Sequence, residues 1–320
     1  MRKKQMDPDD IMLFAGSGSP RLAARIAGCL GVKLCKGQTL RFSEGALFVR
    51  VEENVRGRRV YLVQSTVFPT NDNFMELLFW LDAFKRASAE SVTAVIPYFS
   101  YQKGDKKDEP RVSIRARVCA DAIEAAGADR VVAMDLHAPQ LQGFFRIPVD
   151  NLYALPVLCD RLQAEQLQDV VVVAPDAGFA KEARRYASAL RAPVAIADKE
   201  RPDHNERAEV WDIIGDVGGK TAVIVDDFTI SAGTLVSAAE QLIERGAREV
   251  YAMVSHGVLT PGSIERIDAS PIRKLIITDS VENQPVTLSD KIEVVSVAPL
   301  FAEAIHSIHY RKSISGMFPD

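Results

Sequence analysis

One order of elements runs through this chain twice, and that repetition constrains the fold more than any other property of the sequence. IMLFAGSGSPRLAARIAGCLGVKL (Ile11 to Leu34) and VVVVAPDAGFAKEARRYASALRAPVAIAD (Val170 to Asp198) each read as an apolar strand, a small-residue turn, a helical pattern and a further strand. Farther along each half, RVYLVQSTVFPTNDNFMELLFWLDAFKRASAESVTAVIPYF and KTAVIVDDFTISAGTLVSAAEQLIERGAREVYAMVSHG repeat strand, turn, helix and strand. Apolar runs at 11–15, 60–65, 92–98, 131–136, 170–174, 222–227, 249–255 and 274–278 alternate with helical patterns, which predicts an α/β fold with mostly parallel sheets flanked by helices. Several runs are continuous rather than alternating, as strands covered on both faces should be. A chain of 320 residues accommodates two domains of ordinary size, each with its own core. The repeat places them at 1–150 and 151–320, with the last helix returning to the first domain. Its period is far too long for a solenoid.

Charge and the chain start exclude some functions. The net charge is -4 and no basic tract dominates, so bulk nucleic-acid binding is not expected. MRKKQMDPDDIMLFAG follows its basic start with acids and a brief apolar run, which is neither a signal peptide nor a membrane span, and a cytoplasmic protein is expected. Cys29, Cys35, Cys119 and Cys159 lack CxxC spacing and favour buried thiols over disulfides or zinc.

The most informative stretch is AVIVDDFTISAGTLVSAAEQL, Ala222 to Leu242. An apolar strand runs into Asp226 and Asp227, then into a small-residue turn that opens a helix. The helix N-terminus presents unpaired backbone N–H groups and the positive end of its dipole, which suit a phosphate. Carboxylates would repel that phosphate, so the two acids are better matched to sugar hydroxyls or a metal, while Ser231, Gly233 and Thr234 cradle the anion. A sugar phosphate satisfies both halves. An ordinary strand-to-helix connection with an N-capping hydroxyl has the same pattern, but paired acids at a buried strand end need partners and Gly233 permits close backbone approach. The Asp-Asp turn occurs only in the second copy, so the ligand site is expected to be asymmetric.

Other segments are compatible with more than one role. His137 ends the run VVAMDLHAPQ, where it is either a packed or capping residue or a ligand-facing one, since open α/β sheets bind ligands outside strand C-termini. Asp135 adds a carboxylate, although alternation would send the two side chains apart if the strand persists. Asp176 in APDAG is either an N-cap or a magnesium or sugar contact. DKERPDHNERAE, Asp198 to Glu209, reads as a loop, with Lys199 and Arg201 at its base able to neutralise a polyphosphate. SYQKGDKKDEPRVS, 100–113, mixes Lys103, Asp105, Lys106, Lys107, Asp108 and Arg111, as either a metal–triphosphate site or an exposed loop would. In LRFSEGAL, Phe42 is an aromatic in a polar turn, placed to stack on a base or to pack on a neighbouring subunit.

Taken together, LFAGSGSPRLA, RFSEG, ENVRG, QSTVFPTNDNFMELL, MDLHAPQLQGFF, VDNLYALP, APDAG, IIGDVGGK, VDDFTISAGTL, SHGVLT and SISGMF resemble the ribose-phosphate diphosphokinase (phosphoribosyl diphosphate synthetase) family over nearly the whole chain. The resemblance implies two phosphoribosyltransferase-like domains and transfer of diphosphate from ATP to ribose 5-phosphate, giving phosphoribosyl diphosphate and AMP for nucleotide biosynthesis. It also implies Mg²⁺ as cofactor and a homo-oligomer, commonly a hexamer. By resemblance, Asp226 and Asp227 hold the ribose hydroxyls, and Ser231, Ala232, Gly233 and Thr234 the 5-phosphate. His137 and Asp176 match magnesium-associated positions, and Lys199 and Arg201, with His137, the catalytic positions. Phe42, Glu44, Lys103, Asp105, Asp108 and Arg111 fall on the ATP side, with Phe42 supplied by a neighbouring subunit. Arg56, Gln142, Asn151, Ser313 and Ser315 resemble the lining of a regulatory phosphate site.

The chain also departs from the family pattern. Ile230 stands where another Asp is usual and Ala46 where a Glu is usual; Lys103 and Gly104 replace an Arg-Gln pair, Phe179 a Gly and Glu200 an Arg. Lys lacks the bidentate grip of a guanidinium. These changes bear on nucleotide affinity, donor preference and activity. They raise the alternative of a non-catalytic paralogue that binds sugar phosphate or nucleotide and regulates an active synthetase by co-assembly. A phosphoribosyltransferase proper would share the turn but not the first-domain match.

Overall fold

The computed structural model describes residues 11–200, 210–282 and 287–318. The first copy comprises β1 (Ile11–Ala15), α1 (Pro20–Leu30), the hairpin β2 (Gly37–Arg41) and β3 (Leu47–Val51), β4 (Arg59–Val63), α2 (Thr70–Arg86), β5 (Ser91–Ile96), α3 (Arg115–Ala126), β6 (Arg130–Met134) and β7 (Val149–Leu152). After α4 (Leu155–Gln163), the second copy follows with β8 (Val170–Ala174), α5 (Ala180–Leu190), β9 (Val194–Glu200), β10 (Val210–Ile214), β11 (Thr221–Thr229) and α6 (Gly233–Glu244). It ends with β12 (Glu249–Gly257), α7 (Pro261–Ala269), β13 (Ile272–Thr278), β14 (Ile292–Val295) and α8 (Ala298–His309).

The first sheet has the order β1-β4-β5-β6-β7 and is parallel throughout. The second has the order β10-β9-β8-β11-β12-β13-β14, and only β10 runs antiparallel. Without β9 and β10 the second order reproduces the first strand for strand. The predicted duplicated α/β fold is the observed one.

Alternation along each strand explains how the copies join. On β4, Val60 and Leu62 pack with Trp80, Leu81 and Phe84 of α2, while Tyr61 and Val63 point to the opposite face. On β11, Ala222 and Ile224 pack with Leu235, Ala239 and Leu242 of α6, while Val223 and Val225 point away from them. Tyr61, Val63, Val223 and Val225 all enter one central cluster, with Leu22 and Ile26 of α1, Leu158 of α4, Tyr186 of α5 and Phe301 and Ile305 of α8. A shared helical layer therefore lies between the sheets, and α8 packs on α1. Emptying a fully buried position there, such as Phe301 at 0 % exposure, costs about 3–5 kcal/mol.

The sequence reading differs from the structure in three places. Asp198–Glu200, read as loop, are the end of β9, with Lys199 opposite Trp211 on β10. The charged end of β9 runs past β8 and pairs with β10 alone, so it lacks the apolar period of a strand covered on both sides. Residues 201–209, including Arg201, lie outside the described residues. The β2–β3 hairpin also escaped the apolar pattern because it is half-exposed. Finally, Cys119 and Cys159 are buried, but Cys35 is only partly so and Cys29 is exposed, beyond the packed Leu22–Ala27 stretch of α1. Among the described residues, no helix is long and apolar enough to cross a membrane.

Candidate active site between the two copies

In a parallel sheet the strand C-termini share one edge, and the turns leaving that edge are free to meet a ligand. Here β6 and β11 deliver such turns from opposite copies. β6 stops at Met134, and Asp135 takes a left-handed backbone with φ 42°. Strand alternation therefore ends before it can separate Asp135 from His137, and both line one cavity of about 400 Å³ with Tyr153, Phe179, Lys181, Tyr186, Asp227 and Ser255.

The defining contact crosses the copies: His137 Nδ1 lies 2.6 Å from Asp227 Oδ2. Asp227 Oδ1 accepts the Phe228 N–H at 2.8 Å, and Asp226 Oδ1 accepts the Asp227 N–H at 2.9 Å. The His137 main-chain N–H donates to Gln102 Oε1 at 3.0 Å, which ties the charged 100–113 loop to this histidine. Lys103 Nζ stands 4.1 Å from the Phe228 ring centroid, and the His137 ring meets the same phenyl edge-on at 5.7 Å. Asp135 Oδ2 accepts from the Ala154 N–H at 2.9 Å and the Ser255 hydroxyl at 2.6 Å.

Charge in this site is unbalanced. The hydrogen bond to Asp227 holds the His137 imidazole above its ordinary value, against the opposing effect of burial. Burial first, then the adjacent Asp227 charge, pushes Asp226 well above the carboxylate range. Burial raises Asp135 to about 6 despite its two donors. Such a cluster is relieved by hydroxyl donors or a cation. Among the described residues no three His, Cys, Asp or Glu side chains converge as a ready-made metal site, so a cation here would rest on one or two of these groups and take the rest of its ligands from water or substrate.

The turn after β11 is built for an anion. Ala232 adopts the left-handed conformation, φ 58° and ψ 7°, and offers no side-chain cap, so α6 opens at Gly233 with main-chain donors. Gly233 N–H reaches Ser231 Oγ at 3.3 Å. Asp176 is an N-cap, accepting the Phe179 N–H at 2.9 Å through Oδ1, while its charge is also felt by Asp226.

The remaining candidates are dispersed. Phe42 and Glu44 occupy the tip of the β2–β3 hairpin, where Phe42 is 48 % exposed and its ring meets Phe48 at 6.0 Å, tilted by 51°. Asp105, Asp108 and Arg111 lie in the loop before α3, with Arg111 left-handed at φ 67°. Arg56 donates to Ser88 Oγ, Gln142 to the Pro139 carbonyl, and Ser313 to Ser315. Asn151 is buried in β7, where its Oδ1 accepts the Leu136 N–H at 3.1 Å beside His137.

Several departures acquire a physical setting. A Cβ at Gly104 would lie 2.5 Å from Arg115 Nε and 2.8 Å from its Cβ, so Arg115 occupies the space a longer residue would need. Phe179 lines the cavity, and Ile230 sits 40 % exposed in the β11–α6 turn. Sequence reasoning missed Gln102, Tyr186, Phe228, Ser255 and His256. Only SHG, a histidine at the end of an apolar run as in MDLH, carried a usable signal.

Comparison with known proteins bears on this geometry. The profile of the N-terminal domain of ribose phosphate pyrophosphokinase matches residues 11–127, and that of the phosphoribosyl synthetase-associated domain matches residues 206–319. The chain is 51 % identical over 311 residues to the ribose-phosphate pyrophosphokinase of Caldanaerobacter subterraneus subsp. tengcongensis, covering 97 % of this chain and 98 % of that one. It is 44 % identical to the Bacillus subtilis ribose-phosphate pyrophosphokinase, covering 98 % and 99 %. The crystal structure of phosphoribosylpyrophosphate synthetase from Mycobacterium smegmatis superposes with a TM-score of 0.89 at 36 % identity, over 94 % of this chain and 99 % of that one.

Proposed function

The chain belongs to the ribose-phosphate pyrophosphokinase family, and from that premise we propose that it transfers diphosphate from ATP to ribose 5-phosphate, giving 5-phosphoribosyl 1-diphosphate and AMP. The observation that carries the assignment to this cavity is the His137–Asp227 contact, which closes the first copy's histidine onto the second copy's sugar-phosphate turn. The division proposed is a nucleotide-side domain at 1–150 and a ribose 5-phosphate domain at 151–320.

Ribose 5-phosphate takes the second copy's turn. Its 5-phosphate accepts from main-chain N–H groups at Ser231–Thr234, and its hydroxyls donate to Asp226 and Asp227. The sugar O1 attacks the β-phosphorus of ATP. The O1–Pβ bond forms as the bond from Pβ to the α-phosphate oxygen breaks, AMP leaves with that bond's electron pair, and the O1 proton passes to water. No side-chain nucleophile is needed; the protein positions the reactants in line and offsets spreading negative charge. Lys103, Lys199 at the end of β9 and Arg201 serve that purpose, and His137, which Asp227 holds above its ordinary value, serves it as a cation when no metal is bound. Asp176 and, in its neutral form, His137 would hold Mg²⁺, which would supply charge neutralisation on the polyphosphate.

Phe42 and Glu44 at the hairpin tip, with Asp105, Asp108 and Arg111, are proposed for ATP, the hairpin reaching a neighbouring subunit of a homo-oligomer. Arg56, Gln142, Asn151, Ser313 and Ser315 are proposed for regulatory phosphate. A cytoplasmic location accords with this chemistry. The test is incubation of purified protein with ribose 5-phosphate, ATP and Mg²⁺ while following AMP and phosphoribosyl diphosphate together. Binding of ribose 5-phosphate without either product, at high protein concentration, would falsify the enzyme reading in favour of a regulatory paralogue.

A further inference from the structure

The His137–Asp227 contact joins two copies, so something must hold His137's segment in place across the boundary. Within its own copy, the main-chain N–H groups of residues 135–137 donate to Leu152 O, Asn151 Oδ1 and Gln102 Oε1, and Asp135 Oδ2 accepts the Ala154 N–H. From the second copy, two consecutive residues at the end of β12 take hold of the same segment. His256 Nε2 lies 3.0 Å from the Met134 carbonyl, and Ser255 Oγ lies 2.6 Å from Asp135 Oδ2.

A carbonyl only accepts, so His256 Nε2 carries the hydrogen and Nδ1 accepts from the Ser280 hydroxyl at 2.8 Å. The ring is 0 % exposed and Tyr98 of the first copy packs edge-on against it at 5.1 Å. Strand register makes the arrangement metrical: β12 pairs with β11, placing Val254 opposite Asp226 and His256 opposite Phe228. Ser255 thus stands beside Asp227, one strand spacing of about 4.8 Å away. The residues that grip 134–135 and the carboxylate that meets His137 belong to adjacent strands of one ladder.

We propose that Ser255 and His256 form a latch between the copies that sets His137 against Asp227, and that both are positioning residues for diphosphoryl transfer. This rests on the function proposed above. Neither needs to touch substrate. Displacing a reacting group by about 1 Å can cost a hundredfold in rate, so a fault in the latch should be read in turnover. Ribose 5-phosphate binds to β11–α6 alone, so its affinity should be preserved.

The experiment compares His256→Phe, His256→Gln and Ser255→Ala with wild type, in steady-state kinetics well below each Tm and in amide hydrogen exchange of the 134–141 segment. His256→Phe keeps the ring volume but loses the donor; kcat is expected to fall about tenfold or more, with KM for ribose 5-phosphate within about twofold. Gln restores an N–H donor and an acceptor, and kcat should return to within about threefold of wild type. Exchange at 134–141 should accelerate in His256→Phe while β8 and β11 are unchanged. The latch is overturned by a folded His256→Phe protein with kcat within twofold of wild type, by an impaired His256→Gln protein matching Phe, or by unchanged exchange. If His256→Phe does not fold, Ser255→Ala decides: a severalfold loss of kcat supports the latch and an unchanged kcat overturns it. An inactive wild type removes the proposed function and leaves exchange to judge the latch.

Discussion

The turn after β4 and the turn after β11 occupy equivalent places in two copies of one topology, yet their polar groups have opposite fates. After β4, Gln64, Ser65 and Thr66 are 0 % exposed and fully engaged. Gln64 Oε1 accepts the Gly18 N–H at 2.8 Å, and a Cβ on Gly16 would lie 2.2 Å from that same oxygen. Glu76 sends Oε1 into the neighbouring β1–α1 turn, where it accepts from the Ser17 N–H, Thr39 and Trp80. Glu76 thereby closes the β1–α1 turn, whose counterpart in the second copy is the β8–α5 turn that carries Asp176. After β11, Asp227 faces a cavity and depends on His137 and a ligand for compensation, while the buried Asp226 beside it is pushed well above the carboxylate range. A polar network that closes on itself is structure, and one left open at a strand edge is a site.

The comparison is broken most severely at Asp227. Asp227→Ala is expected to lower kcat/KM about 10³-fold, about 4 kcal/mol, and to abolish calorimetric binding of ribose 5-phosphate. Gln64→Ala at the matching place should leave that binding intact; equal loss of binding in both variants would erase the distinction between the turns. Next, Glu76→Ala should cost about 3 kcal/mol of stability in denaturant titration, because it strands several buried donors, with KM for ribose 5-phosphate unaffected.

A pH measurement sharpens the contrast at the strand ends. Burial lowers His256 to about 4, against about 6.5 in the unfolded chain. Between those values the unfolded state binds more protons, so wild-type stability falls as pH drops from about 6.5 towards 4, by up to about 3 kcal/mol. His256→Gln lacks this titration, so its stability deficit at pH 7 should shrink on acidification. A deficit independent of pH would contradict a neutral, buried imidazole. The smallest effect is expected at Ile230, half-exposed in the open turn: Ile230→Asp should change Tm-derived stability by less than about 0.5 kcal/mol, while raising kcat/KM for ribose 5-phosphate about threefold.

Much of this was legible in the chain. Both turns are announced by apolar runs ending in small and polar residues, and Asp226, Asp227 and His137 were marked by their places at strand ends. Asp176 was left between a cap and a ligand, and it is a cap whose second oxygen stays available. Gln102, Phe228 and Ser255 were not legible, because each acts through a partner 35 to 125 positions away, and periodicity reports only which face a side chain takes. The β2–β3 hairpin and the end of β9 were missed since a half-exposed hairpin and a charged strand end paired on one side lack an apolar signature.

By itself the sequence determined a duplicated α/β chain with one acidic sugar-phosphate turn, because burial pattern and turn chemistry are local and repeat with the backbone period. Only the tertiary structure decided that the first copy's histidine meets the second copy's aspartate, and that Glu76 closes the β1–α1 turn. Those outcomes depend on how two sheets share one helical layer and on which distant donors reach a buried carboxylate, and no spacing along the chain encodes either distance.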